Sequence, residues 1–343
     1  MNRAAAIIAA LLLAGFTPVG RAFSGTTSSA AQSPLRIAVI GFTHSQNELS
    51  RSLESVLGDS LSRDPRVALI DQSLIRPALA GVGYDGSINM SKDEARKLGS
   101  AIGCDFFLLG KAEALTRSEH DNKSYEEAYA GVLIVDGRTG TLAAFDFILN
   151  NASTTQAARQ SLSKSLGGRT TGYVDRMTSI RTQTVAGRSG EAMGSRSTAL
   201  DPVEEMPVDG SQRAEGFKDP EFLNRVKPEY AIEADKADIT ATVEAMVVLR
   251  SNGDVGAIEI TRWAGFGLDE SAERAIRQLK FNPATRDGNP INLRALIRYN
   301  FRRVSEPAGK FDQPVSAPPE KPVRDLRELF KPTYRRPPQG SPE

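Results

Sequence analysis

Apolar and polar residues alternate with period two over residues 239–250, which predicts a half-buried β-strand. Ser251-Asn252-Gly253-Asp254 follows, and an Asn-Gly pair accommodates the positive φ angles of a type I′ turn. The next apolar run, residues 255–261, is therefore predicted to fold back as the second strand of a β-hairpin.

A helix and a third strand are predicted after this hairpin. Apolar residues recur at helical spacing from Leu268 to Leu279, with acidic residues early, basic residues late and Asp269 in position to cap the helix. After a loop rich in Pro and Gly, residues 291–302 alternate, and the polar side of this strand carries three arginines. The resulting β-β-α-β unit can bury its helix against three strands, and nothing in it indicates a catalytic site.

A separate α/β domain, sandwich-like, is predicted for residues 34–180. Strands are predicted at 35–42, 67–70, 105–110, 128–135 and 141–148, and helices at 49–61, 91–102 and 154–179. Ser91 and Glu94 form a capping box at the start of one helix, and Gly167-Gly168 is expected to weaken the last one. The predicted fold class is therefore mixed, α+β and α/β, in two domains.

The remaining segments are predicted to be a leader, a linker and a tail. Residues 1–31 contain an apolar run of secretory-signal length, with cleavage expected after Ala22, and an uncleaved signal anchor is the alternative. Residues 181–215 have no aromatic residue and many Gly, Ser, Thr, Arg and Glu, which indicates a flexible linker. Residues 305–343 hold nine of the 19 prolines and are expected to be a disordered tail.

Composition removes several classes of function. A formal net charge of +1 gives no reason to expect a nucleic-acid partner. A single cysteine, Cys104, and two histidines cannot build a disulfide framework or a Cys/His zinc site within one chain. Residues 81–86 match the dinucleotide-binding string Gly-x-Gly-x-x-Gly, but they follow a helical pattern and do not join a strand to a helix, so the phosphate-binding geometry is not predicted. The P-loop and Gly-x-Ser-x-Gly motifs are missing from the sequence. We therefore predict that the protein is not an enzyme and binds neither a cofactor nor a metal.

Several spaced motifs now point to a family. They are Pro228-Glu-Tyr230 with Ala234, the Asn-Gly hairpin, Gly265-Phe-Gly-Leu268-Asp269, Phe281-Asn-Pro283-Ala284 and Gly288-Asn-Pro290. In this order they resemble the TonB C-terminal domain over residues 216–304, roughly a quarter of the chain. The chain departs from the family pattern at Ala231, where a second proline is usual, and at Arg262-Trp263, where small residues are usual.

The earlier domain also resembles a known family. Its first strand reads Ile-Ala-Val-Ile-Gly-Phe, residues 102–110 read Ile-Gly-Cys-Asp-Phe-Phe-Leu-Leu-Gly, and the hairpin at 134–140 reads Ile-Val-Asp-Gly-Arg-Thr-Gly. This pattern is similar to the periplasmic CsgG/TolB-N-type α/β domain. The resemblance implies a binding module.

The TonB resemblance implies a partner-binding role for the last strand. If that strand lies at a sheet edge, its unpaired N–H and C=O groups can accept an extended peptide as an added strand, and its arginines favour an acidic partner. The predicted partner-binding residues are Arg294, Leu296, Arg298, Asn300 and Arg302, together with Trp263 as an anchor. Two alternatives stay open: a solvated face that protects the edge from aggregation, and Trp263 packed over the helix start.

The sequence is compatible with two candidate functions. The first is a TonB-family periplasmic protein that links to an outer-membrane receptor or transporter in energy-coupled transport. The second is an envelope adaptor that binds a cell-wall synthase, a secretion partner or peptidoglycan without transmitting force. We expect export to the periplasm, with or without an anchor in the inner membrane, and a homodimer stays open.

Overall fold

The computed structural model describes residues 33–43, 48–118, 124–191, 202–207 and 215–303, and the side chains of residues 184–191 are not part of that description. The predicted leader and the proline-rich tail lie outside the described residues, so both stay predictions. From Pro34 onward the described residues form one compact unit.

The longer strands and most of the helices follow the predicted order, and the structure adds α2, α5 and several short strands that the sequence did not predict. The helices are α1 (Glu48–Ser62), α2 (Gln72–Gly81), α3 (Lys92–Ile102), α4 (Thr155–Glu191), α5 (Ile232–Lys236) and α6 (Leu268–Arg277). The longer strands are β1 (Leu35–Thr43), β4 (Phe106–Ser118), β5 (Ser124–Asp136), β6 (Leu142–Ala152), β10 (Ala241–Leu249), β11 (Val255–Trp263) and β15 (Asn292–Phe301). The short strands are β2 (Val67–Leu69), β3 (Met90–Ser91), β7 (Val203–Glu205), β8 (Phe217–Lys218), β9 (Glu221–Phe222), β12 (Phe281–Asn282), β13 (Thr285–Arg286) and β14 (Asn289–Pro290).

The first sheet has the strand order β2-β1-β4-β5-β6. β1 pairs in parallel with β2 and β4, which confirms the predicted βαβ start, and β4, β5 and β6 form an antiparallel meander. The predicted capping box at α3 is present: Glu94 N–H donates to the Ser91 hydroxyl, and Ser91 N–H donates to the Glu94 carboxylate. We call this sheet and its helices the α/β lobe.

One face of the first sheet is covered by α1 and α4. Leu53, Leu57, Leu162 and Leu166 are fully buried there. α4 runs without a break through Gly167, where the glycine lies against α1: a Cβ at this position would lie 3.4 Å from Val56 Cγ1. A side chain at this position would make an ordinary van der Waals contact with α1, and the predicted weak point is not a break in α4.

The opposite face of the first sheet is shared between α2, α3 and the second sheet. A single buried cluster joins Phe107, Tyr129 and Leu133 of the first sheet to Trp263 and Phe266 of the second. A sheet with parallel strands normally has both faces covered, and here α2 and α3 cover only part of the second face. The C-terminal elements cover the rest, so the two predicted domains share one core.

The second sheet has the strand order β3-β11-β10-β15-β7, and α6 packs on it, as the β-β-α-β prediction requires. We call it, with α5 and α6, the C-terminal lobe. The β10–β11 hairpin is confirmed, but the type I′ prediction is wrong, because Gly253 has φ of 85° while Asn252 does not take a positive φ. The Gly253 N–H donates to the Arg250 carbonyl at 2.9 Å and the Arg250 N–H donates to the Asp254 carbonyl at 2.9 Å, so the hairpin closes through the loop 251–253, which ends on a left-handed glycine.

The segment predicted as a flexible linker contributes structure to both lobes. α4 extends to Glu191, and β7 joins the edge of the second sheet. Residues 192–201 and 208–214 lie outside the described residues. Among the helices that the structure describes, none combines the length and apolar character needed to cross a membrane.

Candidate functional site

The last strand, β15, is paired along its length on one side and only at its start on the other. β10 pairs antiparallel with it from Ala241 opposite Phe301 to Leu249 opposite Leu293. On the other side β7 pairs in parallel with residues 292–294. Within the described ranges no strand pairs with residues 295–301 on that side. At about 3.4 Å per residue this open stretch is about 24 Å long, which suffices for an added strand.

The direction of the β10 backbone groups shows which β15 groups face outward. The Thr242 carbonyl accepts a hydrogen bond from the Asn89 side-chain amide at 2.9 Å, and the Thr242 N–H donates to the Asn89 side-chain oxygen at 3.0 Å. Glu244 accepts at its carbonyl from the Thr261 hydroxyl, at 3.2 Å. Asn89 and Thr261 both lie on the β3–β11 side, so Thr242 and Glu244 point their backbone groups away from β15.

Antiparallel pairs alternate between those that exchange both hydrogen bonds and those that exchange none. Asn300 lies opposite Thr242 and Arg298 lies opposite Glu244, so both belong to pairs that exchange none. Their N–H and C=O groups therefore point toward the open edge. By the same alternation, those of Leu296 and Arg294 point the same way. The outward backbone groups thus belong to the residues that the sequence predicts for partner binding.

Most of the polar side chains on this strand already have partners within the chain. Arg294 contacts Glu205 at 3.4 Å, Arg298 contacts Glu244 at 2.8 Å, and Asn300 contacts Thr242 at 2.9 Å. Arg302 forms no ion pair with a residue that the structure describes. Leu296 is 40% exposed between the two paired arginines. Since Arg294 and Arg298 have internal counter-charges, the features of this edge that remain available to a partner are its backbone groups, Leu296 and, just beyond the end of the strand, Arg302.

An ionic network connects the edge strand to the α/β lobe. Glu244 lies between Arg298 and Arg262, with its second oxygen 3.8 Å from the Arg262 guanidinium. Arg262 also donates to the Glu94 carboxylate of α3 at 3.1 Å. The polar face of the second sheet is thus linked, residue by residue, to a helix of the other lobe.

Trp263, the predicted anchor for a partner, lies inside the molecule. Its side chain is 2% exposed, and its indole Nε1–H donates to the Gly140 carbonyl at 3.0 Å. Its backbone pairs with Met90 of β3, and its carbonyl accepts from the Asn89 side chain at 2.6 Å. Trp263 therefore joins the two lobes in this structure and is not presented to an external partner.

A second contact between the lobes was not recognised from sequence. Gly265, Phe266 and Gly267 have consecutive positive φ angles of 69°, 53° and 74°, and a phenylalanine rarely takes such a conformation. This loop places the Phe266 ring 4.8 Å from the Phe145 ring, over Gly131, where a Cβ would clash with Phe266. In the sequence, the signal for this unusual backbone conformation was a bulky residue placed between two glycines.

Asp269 stabilises this loop and does not cap its own helix as predicted. Its carboxylate oxygens accept from the Ala264 and Gly265 N–H groups at 2.9 and 2.8 Å. Burial raises the pKa of Asp269 to about 7, against the smaller lowering effect of these two bonds. The residue at the N-cap position is Gly267, which has no side-chain acceptor.

A cleft of about 770 Å³ opens between the end of β1, the loop after α2 and the start of β10. Two of its polar side chains are bonded within the chain: Lys111 Nζ donates to the Ala237 carbonyl at 2.6 Å, and the Tyr84 hydroxyl donates to the Ser87 carbonyl at 3.0 Å. The Thr43 hydroxyl, which also lines the cleft, is buried without a hydrogen-bond partner among the described residues. The cleft contains none of the residues predicted to bind a partner.

Comparison with known proteins identifies the C-terminal part of the chain. Residues 226–302 match the family described as Gram-negative bacterial TonB protein C-terminal. No curated protein is similar enough to the chain to count as a match. The resemblance of the α/β lobe to the CsgG/TolB-N type is not confirmed and stays a prediction.

Solved structures with low identity resemble parts of the chain. The TonB C-terminal domain of Pseudomonas aeruginosa is 16% identical, covering 30% of this chain and 97% of that one, with a TM-score of 0.24. Lipoprotein GNA1162 from Neisseria meningitidis is 14% identical, covering 45% of this chain and 99% of that one, with a TM-score of 0.28. The LpoB C-terminal domain from Salmonella enterica is 11% identical, covering 35% of this chain and 85% of that one, with a TM-score of 0.24. Scores this low carry no argument about function, and the identification rests on the family match: residues 226–302 form a TonB C-terminal family domain.

Proposed function

We propose that the protein binds another protein of the cell envelope by adding an extended segment of that partner to the open edge of β15. The observation that carries this proposal is the unpaired stretch of residues 295–301, with the backbone groups of Leu296, Arg298 and Asn300 directed outward. Strand addition supplies affinity through main-chain hydrogen bonds, and side-chain contacts such as one to Leu296 supply selectivity.

In the finer version of this proposal the partner is the periplasmic extension of an outer-membrane receptor or transporter, and the protein acts in energy-coupled transport. The TonB C-terminal family match supports this version. In the alternative the protein is an untethered adaptor that binds a cell-wall synthase, a secretion partner or peptidoglycan. The extensive contact between the lobes favours this alternative, because it makes the C-terminal domain part of a larger folded unit.

A pair of substitutions at one position separates backbone recognition from side-chain recognition. Leu296→Pro removes an outward N–H that has no partner strand, so the β10–β15 pairing is kept while an added strand is blocked. Leu296→Ala keeps the N–H and removes only the exposed side chain. A photo-crosslinker at Asn300 of the full chain, in cells, captures the neighbour in each background.

We expect the crosslink from Asn300 to be retained in Leu296→Ala and lost in Leu296→Pro, with melting temperatures showing that both variants are folded. A crosslink to an outer-membrane receptor, together with loss of receptor-dependent uptake in Leu296→Pro, supports the transport version. A crosslink to a synthase or secretion protein with uptake intact supports the adaptor. Equal crosslinking in both variants would refute strand addition at this edge.

A further inference from the structure

Among the residues that the structure describes, the short strand β7 is the one segment that pairs with the outer edge of β15. Val203, Glu204 and Glu205 run parallel to β15 and lie opposite Asn292, Leu293 and Arg294. This segment lies outside residues 226–302, the part of the chain that matches the family. It therefore sits where the first residues of an added partner strand would sit.

Two carboxylates fix this segment to the second sheet. Glu204 accepts from Arg286 Nε and Nη2 at 2.9 and 2.6 Å, a two-pronged contact with a guanidinium. Glu205 lies 3.4 Å from Arg294. Arg286 is held in place independently of Glu204, because it stacks on the Phe217 ring at 5.4 Å and donates to the Glu215 carbonyl at 3.2 Å.

The segment is also short, and its apolar side chains are partly exposed to solvent. Pro202 and Pro207 enclose it, and proline cannot donate the N–H that would extend a ladder. The side chains of Val203 and Met206 are 44% and 41% exposed. The contact thus consists of three residues of backbone pairing and two ion pairs, with little buried apolar surface, which suits an occupant that can be exchanged.

We propose that residues 202–207 are an internal ligand of the β15 edge, and that an acidic partner segment running parallel to β15 displaces them by placing a glutamate on Arg286. This inference rests on the proposed strand addition at β15 and adds to it the chemistry, direction and competitor of the incoming strand. A partner that extends over residues 292–301 cannot bind while β7 is in place. Residues 202–207 therefore act as a competitor built into the chain.

The test uses the full chain and a fluorescent, end-capped peptide with the sequence of residues 201–208, Asp-Pro-Val-Glu-Glu-Met-Pro-Val. The receiving variant is V203G/E204S/E205G, which weakens the internal strand. A second variant, E204S/E205S, keeps the backbone length and removes only the carboxylates. Because the segment is half exposed, we expect both variants to melt close to the wild-type protein.

We expect the peptide to bind V203G/E204S/E205G at least tenfold more tightly than the wild-type chain, with E204S/E205S in between. A peptide carrying Glu204→Lys should lose at least tenfold of that affinity. Adding Arg286→Glu to the receiving variant should reverse the preference, so that the lysine peptide binds better. The charge reversal assigns binding to Arg286 and not to general charge attraction.

Equal affinity for the wild-type and receiving chains, equal affinity for the glutamate and lysine peptides, or no binding of the peptide at 1 mM would overturn the proposal. The outcome is separable from the proposed function. Peptide exchange without any envelope partner crosslinked at Asn300 leaves the internal ligand standing and refutes the function. A partner crosslinked at Asn300 without peptide exchange refutes the internal ligand and leaves the proposed function standing.

Discussion

Replacing the only tryptophan tests whether the two lobes share one core. In Trp263→Phe the Gly140 carbonyl loses its donor, and leaving a buried acceptor unsatisfied costs about 1–3 kcal/mol. Removing the second ring of the indole costs about a further 1 kcal/mol of buried apolar contact. We expect a loss of about 2–4 kcal/mol in the free energy of unfolding. For a folded chain of 150–250 residues this lowers the melting temperature by about 4–16 °C.

The measurement is urea and thermal unfolding of the full chain followed by far-UV circular dichroism. The control is Leu296→Ala, which removes apolar atoms from a side chain that is 40% exposed and should change stability by less than about 0.5 kcal/mol. In the wild-type chain, Trp263 emission and circular dichroism should change together, as one transition. A Trp263→Phe effect no larger than that of the control, or indole exposure well before the loss of secondary structure, would refute a shared core.

Three further substitutions test the contacts that position the C-terminal lobe. Burial raises the pKa of Asp269 to about 7 from an ordinary 3.8, so between these two pH values the folded chain holds a proton that the unfolded chain has lost. The free energy of unfolding should therefore fall as pH rises from about 4 to 7, by at most about 1.4 kcal/mol per pH unit. The free energy of unfolding of Asp269→Asn should lack that slope over the same range. Asn89→Ala removes three hydrogen bonds that join the residue before β3 to β10 and β11. We expect this change to cost about 2–3 kcal/mol in urea unfolding and to shift Trp263 emission to the red. Unchanged emission would contradict the role of Asn89 in joining these strands. The Glu127 carboxylate is 1% exposed and lies 3.1 Å from Arg117 of β4 and 3.5 Å from Lys236 of α5 in the C-terminal lobe. Glu127→Gln should therefore cost about 1–3 kcal/mol in urea unfolding, less than for a fully buried pair because both cations are partly solvated. A smaller loss would contradict a stabilising role for this ionic contact between the lobes.

Local patterns in the sequence were sufficient for most of the elements. Alternation predicted β10, β11 and β15, and the Ser91 and Glu94 pair located the start of α3, because each signal is contained within a few residues. The outward direction of the Leu296, Arg298 and Asn300 side chains also followed from period two. The order of the family motifs then identified the C-terminal domain, which the comparison confirmed.

Contacts between distant segments could not be predicted in this way. Trp263 was a candidate for partner binding because its sequence neighbours do not reveal Gly140, which accepts its hydrogen bond from more than a hundred residues away. The charges of Arg294 and Arg298 were read as free because Glu205 and Glu244 lie on other strands. Polar composition indicated a linker at 181–215, but the long-range pairing that makes Val203–Glu205 a strand is not a compositional property.

The strand order of the second sheet has a mechanical consequence. A segment added along β15 would pull parallel to the strand axis, so the nine residue pairs between β10 and β15 would resist together in shear and would not open one after another. From β10 the load would pass through β11 to β3, where Asn89 and Trp263 anchor the sheet to the α/β lobe. Tension applied at the last strand would thus be distributed over the whole folded body and would not be borne by the C-terminal domain alone.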